Sequence, residues 1–395
     1  MNVNVLLIWV VLGAAALTVL GAVAVGLISG VSPDPYTLRY FSPEFLQKAA
    51  EYERVNLTLF LARQAVTLVF LMTASVWAAR YFQVAPKVSL ITAAGYIFLF
   101  LFIFYILNLP LSFYQGYVVE HRFGFSTQTA GSWFLDYFKS GLISLGVSTG
   151  GLTGLYILMV RWPARWWLLA GTGFSLFILL STYLFPIIID PLFHNFTPLE
   201  DEALSSEIVS MAERAEIKVE QVLVADASRR THKSNAYFTG IGKSKRIVIY
   251  DNLLKGFTAE EVLVVIAHEM AHWRHSHIVK GIVMSIAGAF ISLYLFRAFL
   301  KMTGLGLNLK LIPLALLFFA LVSLVAMPVQ NAVSRSFERQ ADRGAITLTE
   351  NPEAFVALKQ NLAEANLAAV QPHPLIKMVL YSHPPIIERI RSAER

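Results

Sequence analysis

The stretch Val264–Gly281, VVIAHEMAHWRHSHIVKG, decides how the chain is to be read. His268 and His272 are four residues apart, so on a helix both imidazoles project from one face and can reach a single metal ion. Glu269 follows the first histidine, where it points toward a metal-bound water rather than serving as a ligand. This is the H-E-x-x-H arrangement, with the carboxylate as general base. The helix then runs straight into an apolar segment, which places water-dependent chemistry at the edge of a membrane.

The composition supports a membrane setting. Of 395 residues, 56% are hydrophobic and 15% charged, and the mean hydropathy is +0.58. Soluble domains carry about 25% charged residues. The net charge of +6 suits lipid headgroups. No basic patch with aromatic readers accompanies it, so a nucleic-acid partner is not expected. With no cysteine, disulfides, thiolate ligands and a Cys nucleophile are excluded.

A spanning helix needs about 20 mostly apolar residues, and seven stretches are candidates: Val5–Ile28, Ala65–Ala79, Val88–Leu109, Gly141–Val160, Trp166–Ile189, Ile278–Phe299 and Leu311–Val329. The second could begin nearer Leu57, with Arg63 inside it. The first lacks Lys or Arg ahead of it and is too long for a signal-peptide core, so it is expected to be retained. Two crossings separate the polar stretch Asp190–His277 from the tail Asn331–Arg395. Both polar stretches must therefore lie on one face of the membrane, where they can build one domain.

Within the first polar stretch, LEDEALSSEIVSMAERAEI reads as an amphipathic helix and VEQVLVAD as a strand. SNAYFTGIGKSKRIVIY reads as two strands joined by a Gly/Lys/Ser turn. Thr258 with Glu261 makes a capping box for the helix that carries the histidines.

A catalytic zinc takes three protein ligands and leaves a position for water. In NAVSRSFERQADRGA, Glu338 and Asp342 are four apart on a helix; one can ligate, and the other can accept a hydrogen bond from a ligand histidine. Glu338, Arg339, Asp342 and Arg343 would equally form a solvated face of locally paired charges. His275 and His277 are expected to be interfacial polar residues, not ligands. His383 precedes two prolines, which favour an ordered non-helical turn, and an imidazole held there could stabilise an oxyanion.

Six blocks together carry a resemblance to a family: EHRFGFSTQT, FPIIIDPLFHNFTPL, SNAYFTGIGKSKRIVIYDNLL, AHEMAHW, SRSFERQAD and YSHPPIIERI, in this order between Glu120 and Arg391. They resemble the type I CAAX prenyl endopeptidases, the a-factor-converting integral-membrane zinc metalloproteases. The resemblance implies a mainly α, seven-helix polytopic membrane protein around a water-filled chamber, with a zincin-like α/β metalloprotease domain on one face. It implies cleavage of an isoprenylated C-terminal motif after the modified Cys. His268, His272 and Glu338 would hold one Zn2+, Glu269 would be the base, and Asp342 would support a ligand histidine. His383 and Arg389 would support the transition state or the ligand geometry. Asn235, Ala236 and Tyr237 match the family's strand that pairs with the substrate backbone.

The expected divisions are 1–189 for five helices, 190–277 for the H-E-x-x-H segment, 278–330 for helices six and seven, and 331–395 for the segment completing the site. The partners expected are a peptide or prenylated peptide and the bilayer, with the chain acting as a monomer. The loop Lys301–Lys310 is shorter than in eukaryotic members and no ER-retention signal ends the chain, as expected of a compact prokaryotic form. Basic residues flank the spans on both faces, so charge does not orient the chain; the resemblance implies a cytoplasmic zinc domain in an inner membrane. The rival enzyme reading is a heat-shock-type membrane protease that degrades misfolded membrane proteins. A non-catalytic scaffold would have no use for the intact metal-binding set.

Overall fold

The computed structural model describes residues 3–81, 88–217, 221–240 and 246–394. Its framework is seven long apolar helices: α1 (Val3–Ser29), α2 (Pro43–Tyr81), α3 (Leu90–Phe113), α4 (Ala130–Arg161), α5 (Trp166–Leu184), α8 (His277–Thr303) and α9 (Leu311–Thr349). Their best windows have mean hydropathies of 1.6 to 2.5, enough to cross a membrane by length and composition. The spans expected from sequence coincide with these helices, the third starting two residues early and the fifth running on through a π-helical turn to Ile189, but several helices are much longer. Both α2 and α9 have 39 residues, about 58 Å, against a hydrocarbon core of about 30 Å. The excess carries polar residues, so a search for apolar runs stops where the helix does not. The boundary expected at residue 330 falls inside α9.

In α9, 39% of the apolar window is buried, against 17% or less in the other spans. It is the central helix, packed by Leu317, Leu321 and Leu324 against α1, α2 and α3, and by Leu311, Ala315 and Phe318 against α8 and its neighbours.

The polar stretches form α6 (Glu202–Arg214), β1 (Phe196–Pro198), β2 (Val222–Ala225), β3 (Ala236–Thr239), β4 (Arg246–Tyr250) and α7 (Ala259–Arg274), followed after α9 by α10 (Pro352–Asn366), α11 (Pro374–Leu380) and α12 (Ile386–Ala393). The turn expected between β3 and β4 lies outside the described residues. The sheet order is β1-β2-β4-β3, with β2 and β4 parallel and the outer pairs antiparallel. One core unites the two stretches: Ile208 of α6, Ile247 and Ile249 of β4, Ile266 and Met270 of α7, Ala345 of α9, and Phe355 and Leu358 of α10 are all fully buried. Each such Ile, Leu, Met or Phe side chain contributes about 1.5–3 kcal/mol of transfer free energy.

The expected capping box starts α7: the Thr258 side chain accepts from Glu261 N–H while Glu261 accepts from Thr258 N–H. Such caps contribute about 1 kcal/mol. Gly344 lets α9 close on α7, since a Cβ there would lie 2.5 Å from Ala271 Cβ.

Candidate metal centre and active site

Along α7, the helical repeat turns His268 and His272 toward α9, where Glu338 meets them. His268 Nε2 is 3.1 Å from His272 Nε2 and 3.3 Å from Glu338 Oε2. His272 Nε2 is 3.3 Å from Glu338 Oε1. These three residues offer donor atoms that all lie within 4.8 Å of one another. His268 and Glu338 are buried, and Glu338 Oε2 has no hydrogen-bond partner although it is fully enclosed. A buried carboxylate oxygen without a donor is costly unless a cation faces it; the Arg389 guanidinium does so from behind, at 3.7 Å.

Behind the donors stands a charged support. Asp342 Oδ1 is 3.1 Å from His268 Nδ1. Arg389, on α12, donates to Asp342 through Nε at 2.8 Å and Nη2 at 2.5 Å. Lys359 Nζ, on α10, is 3.6 Å from Asp342 Oδ1. All three side chains are buried. Burial pushes the Lys359 ammonium down to about 8. Asp342 and Arg389 therefore stand behind the donor triangle, outside the cavity in front of it, and touch it through His268 and through Arg389 Nη2, 3.7 Å from Glu338. The sequence reading missed Lys359. Its signal was a lone Lys on the face that α10 buries with Phe355.

His272 has its own support, and here the sequence expectation is corrected. His275 is exposed, as expected of an interfacial residue. His277 is buried and stacks on Phe337 with ring centroids 4.4 Å apart. Its Nε2 is 3.3 Å from Gln340 Oε1, and its Nδ1 is 3.0 Å from His272 Nδ1. Donation from His277 Nε2 to Gln340 leaves Nδ1 to accept from His272 Nδ1–H, and this tautomer frees His272 Nε2 for a cation. The five-residue spacing hid this contact. It depends on Ser276, whose left-handed φ of 55° breaks the chain between α7 and α8.

His383 enters from the tail. Its Nε2 is 3.3 Å from Glu338 Oε1 and its Nδ1 is 2.9 Å from Ser382 Oγ. Its side chain is 56% exposed; desolvation by the surrounding chain, opposed by the Glu338 carboxylate, lowers its pKa. Arg335, one turn before Glu338, donates to the carbonyls of Lys377 (2.9 Å) and Tyr381 (2.6 Å) and so fastens the tail to α9.

In front of the donors lies a cavity of about 340 Å³, lined among others by Asn235, Ala236, Phe238, Glu269 and His383. β3 is the edge strand beside it. Tyr250 N–H donates to Asn235 O at 3.0 Å, so by antiparallel alternation Asn235, Tyr237 and Thr239 turn their backbone groups to β4. Ala236 and Phe238 turn theirs outward. Phe238 N–H accordingly donates to Glu269 Oε2 at 3.3 Å. Of the three strand residues expected at the site, Asn235 and Ala236 reach the cavity. Tyr237 does not, and its hydroxyl donates to Asp190. Phe238 was missed, because which backbone groups are free depends on register.

The comparisons agree with this geometry. The sequence profile of peptidase family M48 matches residues 198–395. The chain belongs to this family. A second profile, described as CAAX prenyl protease N-terminal, five membrane helices, matches residues 32–195. The chain is 34% identical to the "Uncharacterized metalloprotease YhfN" of Bacillus subtilis over 93% of its length and 89% of that protein. It is 33% identical to "CAAX prenyl protease 1" of Saccharomyces cerevisiae over 73% of its length and 69% of that protein. The crystal structure of S. mikatae Ste24p superposes with a TM-score of 0.82 at 24% identity, covering 97% of this chain and 98% of that one, so the fold is shared. The family membership makes the chain a metalloprotease, and its seven apolar helices make it an integral multi-pass membrane protein.

Proposed function

We propose that this chain is a membrane-embedded zinc metalloendopeptidase that hydrolyses peptide bonds near the C-terminus of CAAX-type, prenylated peptides. One observation carries the reading: a His-His-Glu donor triangle stands beside a carboxylate, Glu269, under a free β edge. The donor set fits one zinc ion. Two ligands about 2.0–2.1 Å from a tetrahedral zinc are about 3.3–3.4 Å apart; the two imidazole Nε2 atoms are 3.1 Å apart, and each lies 3.3 Å from one of the two Glu338 oxygens. His268, His272 and Glu338 would hold the ion. When bound, zinc supplies Lewis acidity toward the scissile carbonyl and makes a coordinated water acidic near neutral pH.

The remaining chemistry belongs to the chain. The outward backbone groups of Ala236 and the Phe238 carbonyl are offered to a peptide laid along β3, which gains an added strand's hydrogen bonds. This carries its scissile bond past Glu269. Glu269 takes the proton of the attacking water and returns it to the leaving amine. His383, at the rim of the donors, donates to the developing oxyanion, a contribution of about 3 kcal/mol. Asp342 holds the His268 ring, and Arg389 holds Asp342. The apolar spans would enclose a wet chamber that shelters the prenyl group, and the catalytic face would lie in the cytoplasm of a bacterial cell. Residues 190–277 and 331–395 act as the catalytic unit, and a monomer suffices.

The test is cleavage of matched farnesylated and unfarnesylated peptides with and without a zinc chelator. The reading expects chelator-sensitive cleavage that favours the farnesylated peptide. Cleavage indifferent to chelation would overturn it. A second reading, quality-control proteolysis of membrane proteins, is favoured by one observation: the free edge reads backbone and not side chains. Equal chelator-sensitive cleavage of both peptides would select it.

A further inference from the structure

Lys233 lies three residues ahead of Ala236, on the segment that feeds the free edge. Its ammonium is 2.7 Å from Glu120 Oε2 and donates to the Tyr52 hydroxyl at 2.8 Å. That hydroxyl donates to Glu120 Oε1 at 2.5 Å. The ammonium also lies over the rings of Phe125 and Tyr52, 4.5 and 5.2 Å from their centroids. Tyr52 belongs to α2 and Glu120 follows α3, so a cation of the protease segment is held wholly by the membrane half of the chain.

The backbone around it is fastened too. His232 N–H donates to Phe125 O at 2.8 Å, Thr127 N–H donates to Arg230 O at 3.2 Å, and Ser126 bridges Thr231. Arg230 Nε reaches Asp136 of α4 at 2.9 Å. On the far flank, the Asn366 side chain takes both the N–H and the carbonyl of Ser234, at 3.1 and 3.2 Å. The chain is thus held on both flanks up to Ser234; beyond it β3 pairs with β4 on one flank, and on the other Phe238 N–H reaches Glu269.

We infer that the Lys233–Glu120–Tyr52 triad is a positioning device for substrate, setting the height of the β3 edge over Glu269 from the membrane half of the protein. The inference rests on the proposal that this edge receives the peptide. A partly desolvated ion pair, with side chains 31% and 19% exposed, adds little net stability over an apolar replacement. Its directional bonds instead fix a position. A loosened edge pairs less well with the peptide in the ground state and the transition state alike, so the loss falls on KM and not on kcat.

The experiment uses the full chain in lipid vesicles and steady-state peptide cleavage. Lys233→Met and Glu120→Gln should each raise KM about tenfold while kcat stays within about threefold. The exchange of Glu120→Lys with Lys233→Glu should recover most of the loss. Tyr52→Phe removes only the bridging hydroxyl and, should Lys233→Met not fold, carries the test with a KM rise of about threefold. A purely structural role would leave less active protein, lowering apparent kcat at unchanged KM, and that result would overturn the inference. Amide hydrogen exchange gives an answer independent of activity. Residues 234–239 should exchange faster in the variants while 259–274 do not, and unchanged exchange at 234–239 would also overturn it. If the wild type shows no metal-dependent cleavage, the proposed function fails, and the exchange arm still decides this inference.

Discussion

Replacing His277 by phenylalanine tests one link of the metal centre in isolation. A phenyl ring preserves the burial of His277 and its stack on Phe337, where the rings are 11° from parallel. What disappears is the acceptor 3.0 Å from His272 Nδ1 and the donor 3.3 Å from Gln340. A stranded donor in a buried site costs about 1–3 kcal/mol. The His272 ring can escape that cost by rotating, or by moving its proton to Nε2, and either change removes a metal donor. Outer partners of ligand histidines typically contribute 10–100-fold to metal affinity, which is about 1.4–2.7 kcal/mol. The two ranges overlap. Purified full-length His277→Phe should therefore bind zinc roughly 10–100-fold more weakly in competition with a chromophoric chelator, with the unfolding midpoint of the metal-free protein nearly unchanged. Wild-type zinc affinity in this variant would refute the tautomer assignment.

Glu269→Gln should retain zinc and lose cleavage by about 100- to 10,000-fold; turnover near wild type would remove Glu269 as the base. Glu338→Ala should lose stoichiometric zinc, measured as metal content after dialysis, and an unchanged content would take Glu338 out of the ligand set. Lys359 gives a pH signature. Its folded-state pKa is about 8 against an ordinary 10.5, so between those values the unfolded chain holds the proton that the folded chain has released. Stability from this group accordingly rises with pH through that window and is lost as the pH falls toward 8. Lys359→Met should lack the rise in thermal midpoint, and identical pH profiles for the two proteins would contradict it.

Much of this architecture is legible in the sequence because its signals are local. The seven spans announce themselves by apolar length, α7 by Thr258 and Glu261, and the first two metal-binding candidates by a four-residue spacing. Glu338 is also visible, although on spacing alone it cannot be told apart from Asp342; only the placement of α9 against α7 puts one carboxylate at Nε2 and the other at Nδ1 of the same imidazole. What stayed hidden is non-local. His277 reaches His272 through a left-handed residue, Lys359 reaches Asp342 from a separate helix, and one step of strand register decides that Phe238 and not Tyr237 turns its backbone groups toward the site. Helix ends were hidden for another reason: polar residues extend α2 and α9 past the lipid without breaking them.

That extension of α9 has a mechanical side. Glu338 stands 27 residues beyond Leu311, about 40 Å along the axis. Were the helix a stiff lever, a tilt of about 5° in its lipid-held half would sweep the carboxylate by roughly 3.5 Å. Metal coordination tolerates deviations of about 0.2 Å. Pro328 interrupts the ladder inside α9. It donates no hydrogen bond to the carbonyl one turn earlier and leaves the helix compliant at that point. The arm beyond Pro328 is clamped to α7 where Gly344 meets Ala271. A bilayer that thickens or thins can thus tilt the buried half while the flex is absorbed at the proline, and the metal donors keep their spacing.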